Sequence, residues 1–168
     1  MNYLIDGHNL IPKVSGLDLK MADDELLLIE LLLGFCNQNQ HNVEVYFDNS
    51  PPGQPDTRHF GRVRATFIRQ NQSADHAILS RLHKLGRSAG NWTVVSSDRQ
   101  VLAAARQMHA QVLKSEKFAS LLTTYPDRSI AQDNERNTSH VSQAEVDEWL
   151  ELFEERERRN HIKNIRQS

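Results

Sequence analysis

The sequence predicts an α/β protein: a three-layer sandwich with a mainly parallel central sheet, plus a C-terminal helix. Three observations lead there. Short β-branched or aromatic runs alternate with stretches of helical periodicity, the pattern of βαβ units. Three of those runs end in an aspartate, at Asp6, Asp48 and Asp98. The 168 residues suit one domain of ordinary size, long enough to bury a core.

The elements follow in order. Asn2 to Ile5 is a short apolar strand that runs directly into Asp6. Ala22-Asp23-Asp24-Glu25 puts acids in the first turn of a helix, where the helix dipole favours them. That helix reaches about Asn39, and Leu26, Leu27, Ile29, Leu31, Leu32, Leu33 and Phe35 cover more than one of its faces. Burial on two sides, or a partner, is expected. Val43 to Asn49 is the clearest strand, and the proline-rich stretch SPPGQPD after it is a loop. Val63 to Ile68 is a third strand. Ser73 is a candidate N-cap for a helix opening at Asp75, with Ile78, Leu79, Leu82 and Leu85 as its apolar stripe. Trp92 to Asp98 is a fourth strand, Val101 to Met108 a helix, and AQVLKS a short fifth strand leading into a helix over Ser115 to Leu122. Phe47 and Trp92 read as core.

Residues 125–141 are rich in Asp, Arg, Asn, Ser and Thr and read as a polar linker. Residues 142–168 begin with the capping box Ser142-Gln143-Ala144-Glu145. A helix with Val146, Trp149, Leu150 and Phe153 on one face follows, then a charged tail. This helix and the long apolar one are the two candidate surfaces for a homodimer.

Composition narrows the function classes. Net charge is -2, so no polyanion-binding signature extends over the whole molecule, although local distribution matters more than the sum. A single cysteine, Cys36, rules out a disulfide framework and a cysteine zinc cluster; in an apolar helix it reads as a buried thiol. Mean hydropathy is -0.62. The longest apolar stretch, Leu26 to Cys36, is broken by Glu30 and too short to cross a bilayer. A soluble cytoplasmic protein without a signal peptide or membrane contact is expected.

In a parallel sheet the carboxyl ends of the strands share one rim, where ligands bind. Asp6, Asp48 and Asp98 therefore converge, and Asp75 joins them from a helix start, with Asn9 close by on the first loop. Two readings are open. Each acid is an N-cap or turn former, or the group shares a cation. Clustered carboxylates repel unless a cation lies among them, and hard oxygen ligands select Mg²⁺ or Mn²⁺. Such a site activates water for in-line phosphoryl displacement. The position two residues after Asp6 is His8, not the second aspartate of haloacid-dehalogenase-type phosphatases. No acidic pair of the receiver-domain kind follows the first strand, and no glycine-rich phosphate loop is present.

The stretch YLIDGHNLI resembles the opening motif of NYN-domain ribonucleases in the PIN-like nuclease superfamily, and most of all their YacP-like branch. VYFD, SADHAI and VVSSD resemble the later acidic motifs of that branch, in the same order. The resemblance covers about residues 1–124, the expected nuclease domain. The resemblance implies an endoribonuclease that uses Mg²⁺ or Mn²⁺ on single-stranded RNA. It assigns Asp6, Asp75 and Asp98 as catalytic metal ligands, with Asn9, Asp48 and Ser97 in support. The resemblance also offers Asp23, Asp24 or Glu25 as the acid that PIN-like enzymes often carry on the first long helix; the preferred reading is ordinary helix-start charges. The candidate RNA contacts are Arg58, His59, Arg62, Arg69 and Arg99. Contact with the ribosome is a further expectation. The alternative is a non-catalytic RNA- or ribosome-binding module on the same fold.

Overall fold

The computed structural model describes residues 1–19, 24–48, 57–69 and 72–123. The chain divides into two units, Met1–Ala131 and Gln132–Ser168. All described residues belong to the first. The predicted linker and C-terminal helix lie outside the described residues, as do the loop after Asp48 and Asp23.

Strand β1 (Asn2–Asp6) leads into a one-turn helix α1 (Gly7–Leu10) and a 3-10 turn over Ile11–Lys13. Helix α2 (Asp24–Asn39) precedes β2 (Asn42–Phe47), β3 (Thr57–Phe60) and β4 (Val63–Phe67). Helix α3 (Ala74–Leu85) ends in a 3-10 turn, Gly86–Asn91, followed by β5 (Trp92–Val95), α4 (Arg99–Gln107), β6 (Gln111–Leu113) and α5 (Ser115–Thr123). The strands form one sheet in the order β3-β4-β2-β1-β5-β6, with β3 antiparallel to β4 and every other pairing parallel. The sheet is thus mainly parallel, as the sequence predicts.

The pleat sorts neighbouring residues to opposite faces. Tyr3 packs its ring against Phe35 of α2 and Phe118 of α5. Leu4, next along the strand, joins Ile78 and Leu82 of α3 and Leu102 and Ala105 of α4 in the other core cluster. That gives three layers, with α2 and α5 on one face and α3 and α4 on the other. Cys36 is fully buried. No helix among the described residues is long and apolar enough to cross a membrane.

One strand is hidden in the sequence. Thr57–Phe60 alternates exposed and buried residues but places Arg58 in a buried slot, which breaks the apolar pattern and gives the stretch the look of a loop. Gly61, at φ +52°, turns it back onto β4 through a two-residue connection.

The α3 face also holds a buried ion cluster. Glu44 accepts two hydrogen bonds from Arg81, at 2.9 and 2.8 Å, and one from the Tyr46 hydroxyl, and it pairs with Arg64. Burial alone would raise the Glu44 pKa, but the two guanidiniums outweigh it and hold the carboxyl below its ordinary value. A carboxyl with a depressed folded pKa stabilises the fold above its unfolded pKa, and the effect is lost as pH falls. Glu44→Gln is therefore expected to cost about 1–3 kcal/mol at pH 7 in urea unfolding. The gap to wild type should close below pH 4.5, the ordinary value of the group.

Candidate active site

Because β1 lies between β2 and β5, the chain leaves it in both directions across the sheet, and its carboxyl end is a topological switch point. Asp6 sits there, at the sheet's centre, with only 7% of its surface exposed. The tight β1–α1 junction fixes it. Gly7 is pressed so close to β2 that a Cβ would meet the Phe47 ring at 2.3 Å and the Tyr46 carbonyl at 3.0 Å. Any larger residue would push the junction, and Asp6 with it, off the strand end. Asp6 caps α1 by accepting from the Asn9 N–H at 3.1 Å.

The other acids arrive as the topology requires. Asp48 follows β2, and its Oδ1 accepts from the Ala74 N–H at 2.6 Å, so the second strand end holds the start of α3. That helix also has its own N-cap, Ser73, and carries Asp75 in its first turn. Asp98 follows β5 and caps α4, its Oδ1 accepting from Gln100 and Val101. The Asp6 and Asp75 carboxyls interact side chain to side chain, which pushes the pKa of Asp6 up and that of Asp75 down. Burial pushes the Asp6 pKa up to about 7, and the charges of Asp75 and Asp48 push the same way against the Asn9 N–H. The Asp75 pKa is also raised, by burial first and then by the Asp98 charge and, more weakly, by Asp48. Asp75 thus lies within electrostatic reach of the other three carboxylates, and Asp6 within reach of Asp75 and Asp48. As placed, no three His, Cys, Asp or Glu side chains among the described residues form a closed metal-holding group. Asp6 and Asp75 are in contact, whereas Asp48 and Asp98 each spend one oxygen on a helix start.

Around the acids runs a shell of hydrogen bonds. The Asn9 Oδ1 accepts from the Ser97 N–H at 2.8 Å and from the Ser115 hydroxyl at 2.9 Å. The Ser97 hydroxyl donates to Glu116 at 2.8 Å, and Glu116 pairs with Lys13 at 3.2 Å. The Ser97 hydroxyl, then the backbone N–H of Glu116 itself and then Lys13, hold the Glu116 pKa down at about 2. His8 bridges Glu25 and the Asp48 N–H, 3.2 Å from each. The Glu25 hydrogen bond and nearby acids raise its pKa, although the Asp48 N–H needs Nδ1 unprotonated. The geometry is that of the neutral ring.

Asp6, Asn9, Asp48, Asp75, Ser97 and Asp98 are therefore brought together. The basic candidates are not. Arg69 and Arg99 are exposed beside the rim, just after β4 and at the start of α4. Arg58 is buried, not on a surface loop, and His59 is exposed on edge strand β3. Arg62 lies at the amino end of β4, bonded to Asn42 at the start of β2, at the opposite end of the sheet from Asp6. Asp24 and Glu25 are turned inward: Asp24 is buried and Glu25 meets His8. Ser115 and Glu116 were missed. Their signal was available, because α5 begins at the end of β6 and so lands on the same rim.

A sequence profile described as the YacP-like NYN domain matches residues 3–166, past the stretch that carries the four motifs. Two solved structures share the fold. One is a crystal structure of Rae1 (YacP) from Bacillus subtilis, 23% identical, with a TM-score of 0.60 over 76% of each chain. The other is a crystal structure of a tryptophan-to-leucine mutant of the same protein, 24% identical, with a TM-score of 0.61 over 76% of this chain and 77% of that one. No curated protein matches the chain.

The buried Asp6 has a measurable consequence. A carboxyl whose folded pKa lies above its unfolded value favours the fold at low pH and loses that contribution as pH rises through the folded value. Wild type should therefore lose stability between pH 4 and 7 through this group. Asp6→Asn should raise the melting temperature at pH 8, with a smaller effect at pH 5, in metal-free buffer. Calorimetry at the two pH values checks this.

Proposed function

The chain belongs to the YacP-like NYN domain family, and from that premise we propose that it is a metal-dependent endoribonuclease hydrolysing phosphodiester bonds in single-stranded RNA. The observation that supports this reading most is the Asp6–Asp75 pair: a buried carboxyl against a second acid, with the charge of Asp48 acting on both and that of Asp98 on Asp75. A carboxyl whose pKa is shifted by burial together with specific charged neighbours marks a candidate functional site.

The donor set fits a hard divalent cation. All candidate ligands are carboxylate oxygens, and the Oδ2 atoms of Asp48 and Asp98 are not used in capping. Asp6, Asp75 and Asp98 would hold Mg²⁺ or Mn²⁺, with Asp48 beside them. When bound, the ion supplies positive charge to the phosphoryl oxygens and lowers the pKa of a water.

The chain's own groups do the rest. Both lone-pair directions of the Asn9 oxygen are taken, by Ser97 and Ser115, so its amide meets the substrate through N–H donors. A neutral donor among four acids can approach a phosphodiester oxygen without repulsion. Ser115 sets that orientation, and Glu116 steadies the Ser97 turn. Arg69 and Arg99 flank the acids and contact flanking phosphates.

The test is cleavage of a single-stranded oligoribonucleotide with Mg²⁺ or Mn²⁺. Asp6→Asn should reduce cleavage to background, and Ser115→Ala should cost about 10- to 100-fold through a misoriented Asn9. Equal cleavage by wild type and Asp6→Asn would contradict the mechanism.

A further inference from the structure

The net charge of -2 conceals a strong asymmetry. From His76 to Lys114 there are six Lys or Arg residues and one acid, Asp98, in a chain whose totals are 20 and 22. The segment is also folded into one region: α3, its 3-10 turn, β5, α4 and β6. Arg81 is used internally, on Glu44. Lys84, Arg87, Arg99, Arg106 and Lys114 are all exposed, and none is ion-paired with a described residue.

Their positions follow helical geometry. On α4, Val101, Leu102 and Ala105 are buried, which leaves Arg99, Ala103 and Arg106 as an outward stripe at spacings of four and three. On α3, Ala74, Ile78 and Leu82 are buried, and the outward positions include His76, His83 and Lys84, continued by Arg87 in the turn. The two helices share one core cluster on the same sheet face. The 3-10 turn approaches the far end of α4, where a Cβ on Gly90 would stand 3.7 Å from the His109 carbonyl. The stripe on α4 starts at Arg99, beside Asp98, and reaches Arg106 about 10 Å further along the axis.

Helix dipoles account for part of this arrangement. Lys84 and Arg106 lie in last turns, where a cation is favoured. Arg99 lies at the opposite pole of α4, where a cation is disfavoured, and Arg87 and Lys114 are outside both helices. Apart from Asp98 beside Arg99 the segment holds no acid, so its five exposed cations repel one another, and a polyanion relieves that repulsion.

Resting on the nuclease reading above, we infer that the outer face of α3 and α4 is a track for the sugar–phosphate backbone of single-stranded RNA, leading from the acidic rim at Arg99 toward Arg106, Lys84 and Arg87. The rim's own acids repel RNA, so the holding charge lies on the adjoining helices.

The test is the affinity of a labelled single-stranded oligoribonucleotide, measured by fluorescence anisotropy in EDTA at several salt concentrations. The variant is Lys84→Glu with Arg87→Glu and Arg106→Glu, all exposed positions, with its fold checked by circular dichroism. The track predicts at least tenfold weaker binding. It also predicts a slope of log affinity against log salt that is shallower by about 2, for three lost phosphate contacts. Arg62→Glu, on the β3–β4 hairpin, should change binding less than twofold. Triple-variant affinity within twofold of wild type, with an unchanged slope, overturns the track. So does tighter wild-type binding to polyglutamate than to RNA of equal charge, which would assign the face to an acidic protein. Cleavage separates the two proposals. If Asp6→Asn abolishes cleavage while the triple variant binds normally, the track alone fails. If the triple variant loses binding while Asp6→Asn cleaves like wild type, the nuclease reading alone fails.

Discussion

Burying one carboxylate is the constraint on which the rim depends. Asp6 ends a central strand that is paired with β2 through Asp6 itself and with β5 through Ile5, and that pairing sets its position. The chain must turn away at once, and the contact of Gly7 with Phe47 and Tyr46 leaves room for no side chain there. The carboxyl is thereby fixed where water is scarce and other acids are near. Burial is the larger cause of its raised pKa, and its neighbours add to it. Phe47 is stacked on Phe67 and touches His8, so the β2–β4 core and the rim are braced by the same ring.

Capping and ion binding are compatible roles for these acids. Asp48 and Asp98 each hold a helix start with Oδ1. That use fixes the carboxylate plane and leaves Oδ2 unclaimed. Asp48 links more than one element: His8 holds its N–H, and its side chain holds Ala74, one residue before Asp75. Glu25, His8, Asp48 and α3 thus form one hydrogen-bonded chain from α2 to the Asp6–Asp75 pair. Asn9, Ser97, Ser115 and Glu116 form a second chain, from the other side.

Much of this was legible in the sequence, for physical reasons. Parallel strands put their carboxyl ends on one rim, so acids at strand ends declare themselves without any knowledge of side-chain packing. Asp6, Asp48 and Asp98 are visible in that way, Asp75 from the start of the helix that returns to the same rim, and the parallel sheet itself follows from the alternation of elements. Other features left no such trace. Arg58 fills a slot where alternation calls for an apolar residue, which disguises β3 as a loop. Arg62 is close to Asp48 in sequence, but the hairpin carries it to the far end of the sheet. Asp24 and Glu25 have the composition of solvent-facing helix-start charges, and only the packing of α2 turns them inward. The basic α3–α4 face was hidden by the sum of charges, because acids elsewhere in the chain cancel it.

The fold holds the Asp6 carboxyl in a state that a cation would relieve, and everything proposed for the rim rests on that. Carbon-13 NMR of the Asp6 side-chain carboxyl across pH tests it most directly. The expected result is a titration near pH 7 in metal-free protein, which moves to markedly lower pH when Mg²⁺ or Mn²⁺ is added. A titration near the ordinary value of 3.8, unchanged by either ion, would contradict it.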